Sequence, residues 1–357
     1  MENIEYNSTQ IKLKIWLKMA YKKIKIANLL SEFAVSENAS DNVAQNANLR
    51  AFKVLMNALG VSMSEAQRLI DKGRLFCNGE VVSAKNEILR GEIELISYEN
   101  APRGQKPIFD NQNFAVFDKQ SGILSHPNGR NCAYSLCDEI WHLYGAQAGV
   151  AHRLDRETSG LILVAKDKKT QTIFKTLFEK RLVKKEYLAL VSGQTPLEFN
   201  VDLPINSACD EVKTRMRLCP LSEGGKEART EFKRLCYFSE QDLLNLSHEI
   251  QLSKGFDFSK GASLLLARPL TGRQHQIRLH LFASGFAILG EPLYGLAKAD
   301  IERILDKQMS AFERASLTGA TRLCLHSNRL AFEFGGKSYN ILSQRDIRAE
   351  FLQALSL

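Results

Sequence analysis

The amino-acid sequence predicts an α+β protein, a large domain on a mixed, mainly antiparallel sheet preceded by a small α+β unit. Three observations carry this. Short β-rich runs (Ala115–Phe117, Leu161–Ala165, Tyr187–Val191, Ser263–Ala267 and Ala331–Phe334) alternate with helical stretches such as Lys169–Lys180 and Asp300–Arg314. Upstream, apolar residues at helical spacing lead into an Asn-Gly turn between two apolar pairs. Between the two regions, residues 99–107 hold Pro102, Gly104 and Pro107, a composition suited to a linker.

A chain of 357 residues is long for one core, which favours two folded units and an extension. Its 44% hydrophobic and 25% charged residues exclude collagen-like and wholly disordered chains. Apolar runs such as Leu161–Ala165 and Leu264–Ala267 are too short to cross a bilayer, so no membrane partner is expected. A net charge of +8 suits an anionic partner, nucleic acid first, although a basic proteome background explains it about as well. Seven cysteines, at 77, 132, 137, 209, 219, 236 and 324, form no Cys-x-x-Cys pair, and their odd number argues against a disulfide framework. A reducing cytoplasm is the expected compartment. The lysines at 12, 14, 18, 22, 23 and 25 break any signal-peptide pattern.

Residues 1–48 read as a basic extension and linker: Ile11, Leu13, Ile15, Leu17 and Met19 alternate along it, and its lysines lack acidic partners. The small unit spans 49–98. Leu49, Phe52, Met56 and Leu59 predict a helix stopped at Gly60. Ser64-x-x-Gln67 predicts a capping box opening a second helix, with Leu69 and Ile70, that stops at Gly73. Leu75-Phe76-Cys77 and Val81-Val82 flank Asn78-Gly79-Glu80 as a hairpin, and Ile93–Tyr98 is the last strand. This order, with Gly73-Arg74-Leu75-Phe76-Cys77-Asn78-Gly79, resembles the S4 RNA-binding domain. The resemblance makes Arg50, Lys53, Arg68, Lys72 and Arg74 candidate phosphate contacts. A structural cap is the alternative, since 49–98 carries 7 Lys+Arg against 6 Asp+Glu.

In the large domain, 108–357, the segment Ala151–Lys166 (AHRLDRETSGLILVAK) gathers His152, Arg153, Asp155, Arg156, Glu157, Thr158, Ser159 and Gly160 before an apolar strand. Polar groups packed at the start of a core strand are costly unless paired, and mark either a functional site or an ion-pair turn. The flanking Arg153 and Arg156 are expected to keep Asp155 ionised. Asp155 and Glu157, if extended, would lie about 6.5 Å apart on one face, near inverting-glycosidase spacing, but no aromatic sugar platform surrounds them. Thr271-x-x-Gln274 predicts another capping box, with Ile277 and Leu281 on one helical face and Gly285 as its stop, so Arg278 projects from a helix. His275 and His280 are five apart, off one helical face, and no carboxylate lies at ligand spacing, so no metal is expected. No Gly-rich phosphate cradle appears, so no nucleotide cofactor is expected either.

Four segments in order resemble the RluA-type pseudouridine synthases: Phe114–Pro127, His152–Gly160, Val183–Val191 and Leu270–Gly295. Gln120 stands where the family usually has proline, and Glu291 where it usually has aspartate. The resemblance implies a cofactor-free isomerase of uridines in rRNA or tRNA, expected as a monomer. It implies Asp155 as catalytic carboxylate, Arg278 as its partner, and Tyr187 stacking on a flipped base. Arg153 would fill the gap the base leaves, with His152 and Arg156 beside it in the loop and Lys119 as a structural or phosphate contact. A non-catalytic RNA-binding protein is the competing class.

Overall fold

The computed structural model describes residues 21–26, 50–98, 101–127, 134–208, 212, 215–246, 252 and 255–356. The described residues fall into two compact units, one ending at Ala101, the other comprising Pro102–Pro127 and Ser135 onward.

Among the described residues the small unit is a four-stranded antiparallel sheet, in the order β1-β4-β2-β3, with two helices, Ala51–Leu59 and Met63–Asp71. Its strands are β1 (Tyr21–Lys25), β2 (Leu75–Cys77), β3 (Glu80–Val81) and β4 (Ile93–Tyr98). Helix α1 (Ala51–Leu59) buries Phe52, Val54, Leu55 and Ala58 and ends, as expected, at a left-handed Gly60. Leu49 lies outside the described residues. Helix α2 (Met63–Asp71) starts earlier than the sequence suggests. Its capping box is Ser62 with Glu65, leaving Ser64 and Gln67 inside the helix. The two serines carry the same local signal, but Ser62 has the carboxylate at the third position, the stronger acceptor for the cap's own N–H. Asn78 and Gly79 both have positive φ, the signature of the tight turn that joins β2 to β3.

Strand β1 corrects the reading of 1–48 as an extension without acidic partners. Tyr21–Lys25 pairs antiparallel with β4, and Lys23 and Lys25 form ion pairs with Glu94 and Glu92. Residues 1–20 and 27–49 lie outside the described residues. Of the five cations, Arg50, Lys53, Arg68 and Lys72 are exposed and Arg74 is half-buried. Partial burial and the charges of Arg74 and Arg68 push the Lys72 ammonium down, so these three cations share one neighbourhood.

The large unit is built on β5 (Phe109–Asp110), β6 (Phe114–Lys119), β7 (Gly149–Val150), β8 (Ser159–Ala165), β9 (Lys184–Ser192), β10 (Glu198–Asp202), β11 (Ile205–Ser207), β12 (Met216–Leu218), β13 (Arg229–Phe238), β14 (Ala262–Pro269), β15 (Leu325–Phe334) and β16 (Lys337–Leu342). The main sheet runs β10-β13-β14-β9-β15-β8-β6-β5, with β16 beside β15 and β7 beside β8. Every pairing in it is antiparallel except β15 with β8.

Strands β6 and β8 are buried along their whole length, because the sheet is covered on both faces. Alternate residues serve different cores: Phe117, Ile162 and Val164 on one side, Phe114, Leu161 and Leu163 on the other. Among the described residues seven α-helices complete the unit: α3 (Leu136–Tyr144), α4 (Lys168–Glu179), α5 (Glu240–Leu246), α6 (Gln276–Ala283), α7 (Lys298–Leu305), α8 (Ala311–Thr318) and α9 (Ile347–Ala354). The stretch Asp300–Arg314, read as one helix, is two, because Ser310 and Glu313 form a capping box that starts α8 afresh. Among the described residues no helix is long and apolar enough to cross a membrane.

Candidate active site

The polar loop before β8 ends at Gly160, which sits at φ 109° with Ser327 of β15 packed against it. A Cβ there would lie 2.3 Å from the Ser327 carbonyl oxygen, so the parallel pairing of β8 with β15 requires glycine. The loop is held from below by Lys119. Of the structural or phosphate contact expected of it, Lys119 has the structural form, since it is fully buried. Its ammonium donates to the carbonyls of Gln120, Ile123 and Arg156 at 3.0, 2.8 and 3.2 Å. Burial pushes Lys119 down to about 7. Three acceptors nevertheless match the three donors of the charged form, which fixes it as a structural tie between β6 and the loop.

Asp155 keeps 27% of its side chain exposed and receives a hydrogen bond from Arg278 Nη1, at 3.0 Å to Oδ2. Arg278 is 2% exposed, on α6. Its remaining guanidinium edge is gripped by Glu291, with Nε and Nη2 donating to the two carboxylate oxygens at 2.8 and 2.5 Å. A planar fork held this way has one orientation, and its free corner points at Asp155. Burial disfavours the Arg278 charge, but Glu291 and Asp155 outweigh it and raise its pKa further. For Asp155, burial pushes the carboxyl up. At the acid pH where the carboxyl titrates, the protonated His275, Arg278 with its hydrogen bond, and Lys119 overcome it, so the carboxyl lies below its usual range.

His275 lies behind the carboxylate, with Nε2 3.7 Å from Asp155 Oδ2 and Nδ1 hydrogen-bonded at 3.1 Å to the Tyr294 hydroxyl. Burial lowers its pKa to about 4, so the imidazole is neutral at pH 7 and Arg278 carries the attraction. His275 also adopts a left-handed φ of 55° as the residue before α6. The helix therefore begins after Thr271–Gln274, and the predicted capping box does not form. Thr271 donates its hydroxyl to the Gln276 side chain at 2.6 Å instead. Ile277 and Leu281 are buried, and Gly285, just past the helix, has positive φ.

Tyr187 is buried on β9, opposite Ser327 in the register. Burial raises its hydroxyl to about 12, the Ser327 hydroxyl pulls it down, and the Asp155 charge pushes it up. The structure thus brings Asp155, Tyr187 and Arg278 into one neighbourhood. Arg153 is exposed at the loop surface. Arg156 is turned away from Asp155: its Nε lies 3.3 Å from Glu157 and its Nη1 donates to the Leu305 carbonyl at 3.2 Å. The two flanking arginines are therefore not what ionises Asp155. His152 is folded inward, its Nε2 accepting the Leu163 N–H at 3.0 Å, and burial takes its pKa down to about 3. Among the described residues no group of His, Cys, Asp or Glu is arranged to hold a metal.

Sequence reasoning gave Arg314 no role, noted Glu291 only as a departure from the family pattern, and weighed His275 only as a metal ligand. Arg314 donates to Glu157 at 2.9 Å and to the Gly290 carbonyl at 2.9 Å, joining the Asp155 loop to the segment that grips Arg278. These partners are far apart in the chain, so no local pattern announces them.

Known proteins resemble this chain in sequence and in fold. The family described as RNA pseudouridylate synthase matches residues 113–283. An uncharacterized RNA pseudouridine synthase of Helicobacter pylori (strain ATCC 700392 / 26695) is 36% identical over 311 residues, covering 86% of this chain and 94% of that protein. The ribosomal large subunit pseudouridine synthase D of Nitrosomonas europaea is 32% identical over 200 residues, 55% of this chain and 51% of that one. Human RNA pseudouridylate synthase domain containing 1 has the same fold, at TM-score 0.51 and 20% identity over 69% of this chain and 86% of its own. The chain belongs to the RluA-type RNA pseudouridine synthases, which are isomerases acting on RNA.

Proposed function

We propose that this enzyme converts specific uridines of ribosomal or transfer RNA to pseudouridine, with Asp155 as its catalytic carboxylate. The observation that carries the reading is the orientation of Arg278, buried and locked on Glu291 so that its one free corner meets Asp155, the more exposed of the loop's two carboxylates. The reaction breaks the bond between the ribose carbon and the uracil nitrogen and forms one to a ring carbon. It is an isomerisation, with no redox change and no group lost. Asp155 acts at the sugar–base bond, where a negative charge must persist in a partly dry site. Tyr187, buried beside it and kept protonated, offers its ring to the displaced base. Arg153, exposed beside the carboxylate, enters the stack as the nucleotide leaves and limits an unstacking cost of a few kcal/mol. The small unit contributes phosphate contacts through Arg68, Lys72 and Arg74, with Arg50 and Lys53 on α1.

The test is conversion of uridine in RNA purified from cells lacking the gene, read as a mass-neutral isomer. Asp155→Asn is expected to fold, to keep its RNA affinity and to lose turnover by several orders of magnitude. Retention of more than about a tenth of kcat would remove Asp155 from the chemistry.

A further inference from the structure

Lys185 lies two residues before Tyr187 on β9, so both side chains leave the same face of the sheet, roughly 6–7 Å apart. The neighbouring acid does not serve it. Glu186 points to the other face, where Arg268 and Arg329 hold it at 2.8 and 3.3 Å. The Lys185 ammonium makes one hydrogen bond, to the Thr271 carbonyl at 3.3 Å, and has no ion pair among the described residues. Two of its three donors are idle. Burial alone pushes it down to about 8, with no carboxylate to offset that cost.

Gly272 lies beside the ammonium. A Cβ on Gly272 would meet Lys185 Nζ at 3.5 Å, and the φ of Gly272 lies outside the left-handed region, so backbone conformation does not demand glycine there. The surroundings are positive. The Lys185 charge already depresses His152, next to the exposed Arg153. Arg229, whose N–H bonds the Thr271 hydroxyl at 3.0 Å, is also exposed. Neither Arg153 nor the Arg229 side chain makes a hydrogen bond or ion pair among the described residues, unlike Arg156, Arg278 and Arg314. An idle, half-buried ammonium one nucleotide's reach from the base-stacking tyrosine, facing a glycine, fits a phosphate.

We propose that Lys185 is a phosphodiester subsite, taking the non-bridging oxygens of the RNA backbone phosphate beside the nucleotide that Tyr187 receives. The inference rests on the synthase reading above. Its test uses the full-length protein and two probes, a fluorescent ten-uridine RNA for binding and RNA from cells lacking the gene for conversion. Lys185→Gln and Lys185→Met should each weaken decamer binding about fivefold or more and lower the slope of log affinity on log salt by about 0.7, the release expected for one single-strand phosphate. Lys185→Arg should restore the slope. In conversion, the loss should fall on the half-saturating enzyme concentration more than on the saturated rate. An unchanged slope in both neutral variants overturns the subsite, as does a loss confined to the saturated rate. Asp155→Asn separates the two readings. If it still converts uridine, the catalytic assignment fails while the Lys185 slope stands on its own.

Discussion

Asp155 depends for its charge on a residue 123 positions away in the chain. Removing that partner leaves a carboxylate near the core without compensation, so Arg278→Ala should lower stability by about 1–3 kcal/mol as well as impair activity. A melting temperature and a rate both equal to wild type would make Arg278 an ordinary residue. The same pair fixes a pH dependence. The folded pKa of Asp155 is lowered, so its contribution is present above the unfolded value and lost as pH falls through the folded one. Activity that needs the carboxylate should therefore show no acid limb between pH 7 and about 5. In Arg278→Gln the burial of Asp155 is no longer opposed by that charge, and the acid limb of kcat/KM should move upward. An identical acid limb in both proteins would show that another group sets it. The motif announced Asp155 and Arg278 because both lie in short, dense strings. The resemblance named Arg278 as the partner of Asp155, which the structure shows, whereas the local reading credited Arg153 and Arg156, because adjacency in a turn does not say which way they point.

Elements show the same division between local and distant information. The hairpin at Asn78-Gly79, the stop at Gly60 and the strand Ile93–Tyr98 were legible because each is decided within a few residues. The starts of α2 and α6 were missed. Ser62 competes with Ser64 for one cap, and the left-handed His275 is imposed by contacts with Tyr294 and Asp155. Strand β1 was invisible because its evidence is the register with β4. The clamp made by Arg314, Glu157 and Gly290 joins residues 157 and 24 positions apart. Both side chains of that ion pair are about an eighth exposed, at 13% and 12%, so Arg314→Leu should leave Glu157 with Arg156 alone and cost about 1–3 kcal/mol in denaturant unfolding. Pairing it with Glu157→Leu should recover part of that loss, since the penalty comes from the unpaired charge. Additive losses would mean that the two residues stabilise the fold separately.

At the scale of the whole molecule, the small unit runs to Ala101 and the large one begins at Pro102. The large unit has its own two-sided core and contains Asp155, Tyr187, Arg278 and Lys185. The small unit has a separate core of α1, α2 and the apolar face of its sheet, closed by Ile26 from the segment read as an extension. Removing residues 1–98 therefore takes away the small unit's sheet and helices together, while cutting only its last strand would remove Leu95 and Ile96 and uncover the buried Leu75 that pairs with Leu95. The truncated enzyme is expected to fold and to bind RNA more weakly. Its binding should also vary less with salt, because the cations at 50, 53, 68, 72 and 74 no longer neutralise phosphates. Charge reversal makes the same point without deletion. Arg68, Lys72 and Arg74 already repel one another, so replacing Lys72 by Glu should relieve the fold slightly while flattening the salt slope. A truncated protein that is soluble, active and unchanged in slope would show that the small unit does not touch RNA, and an insoluble one that the large unit needs it to fold.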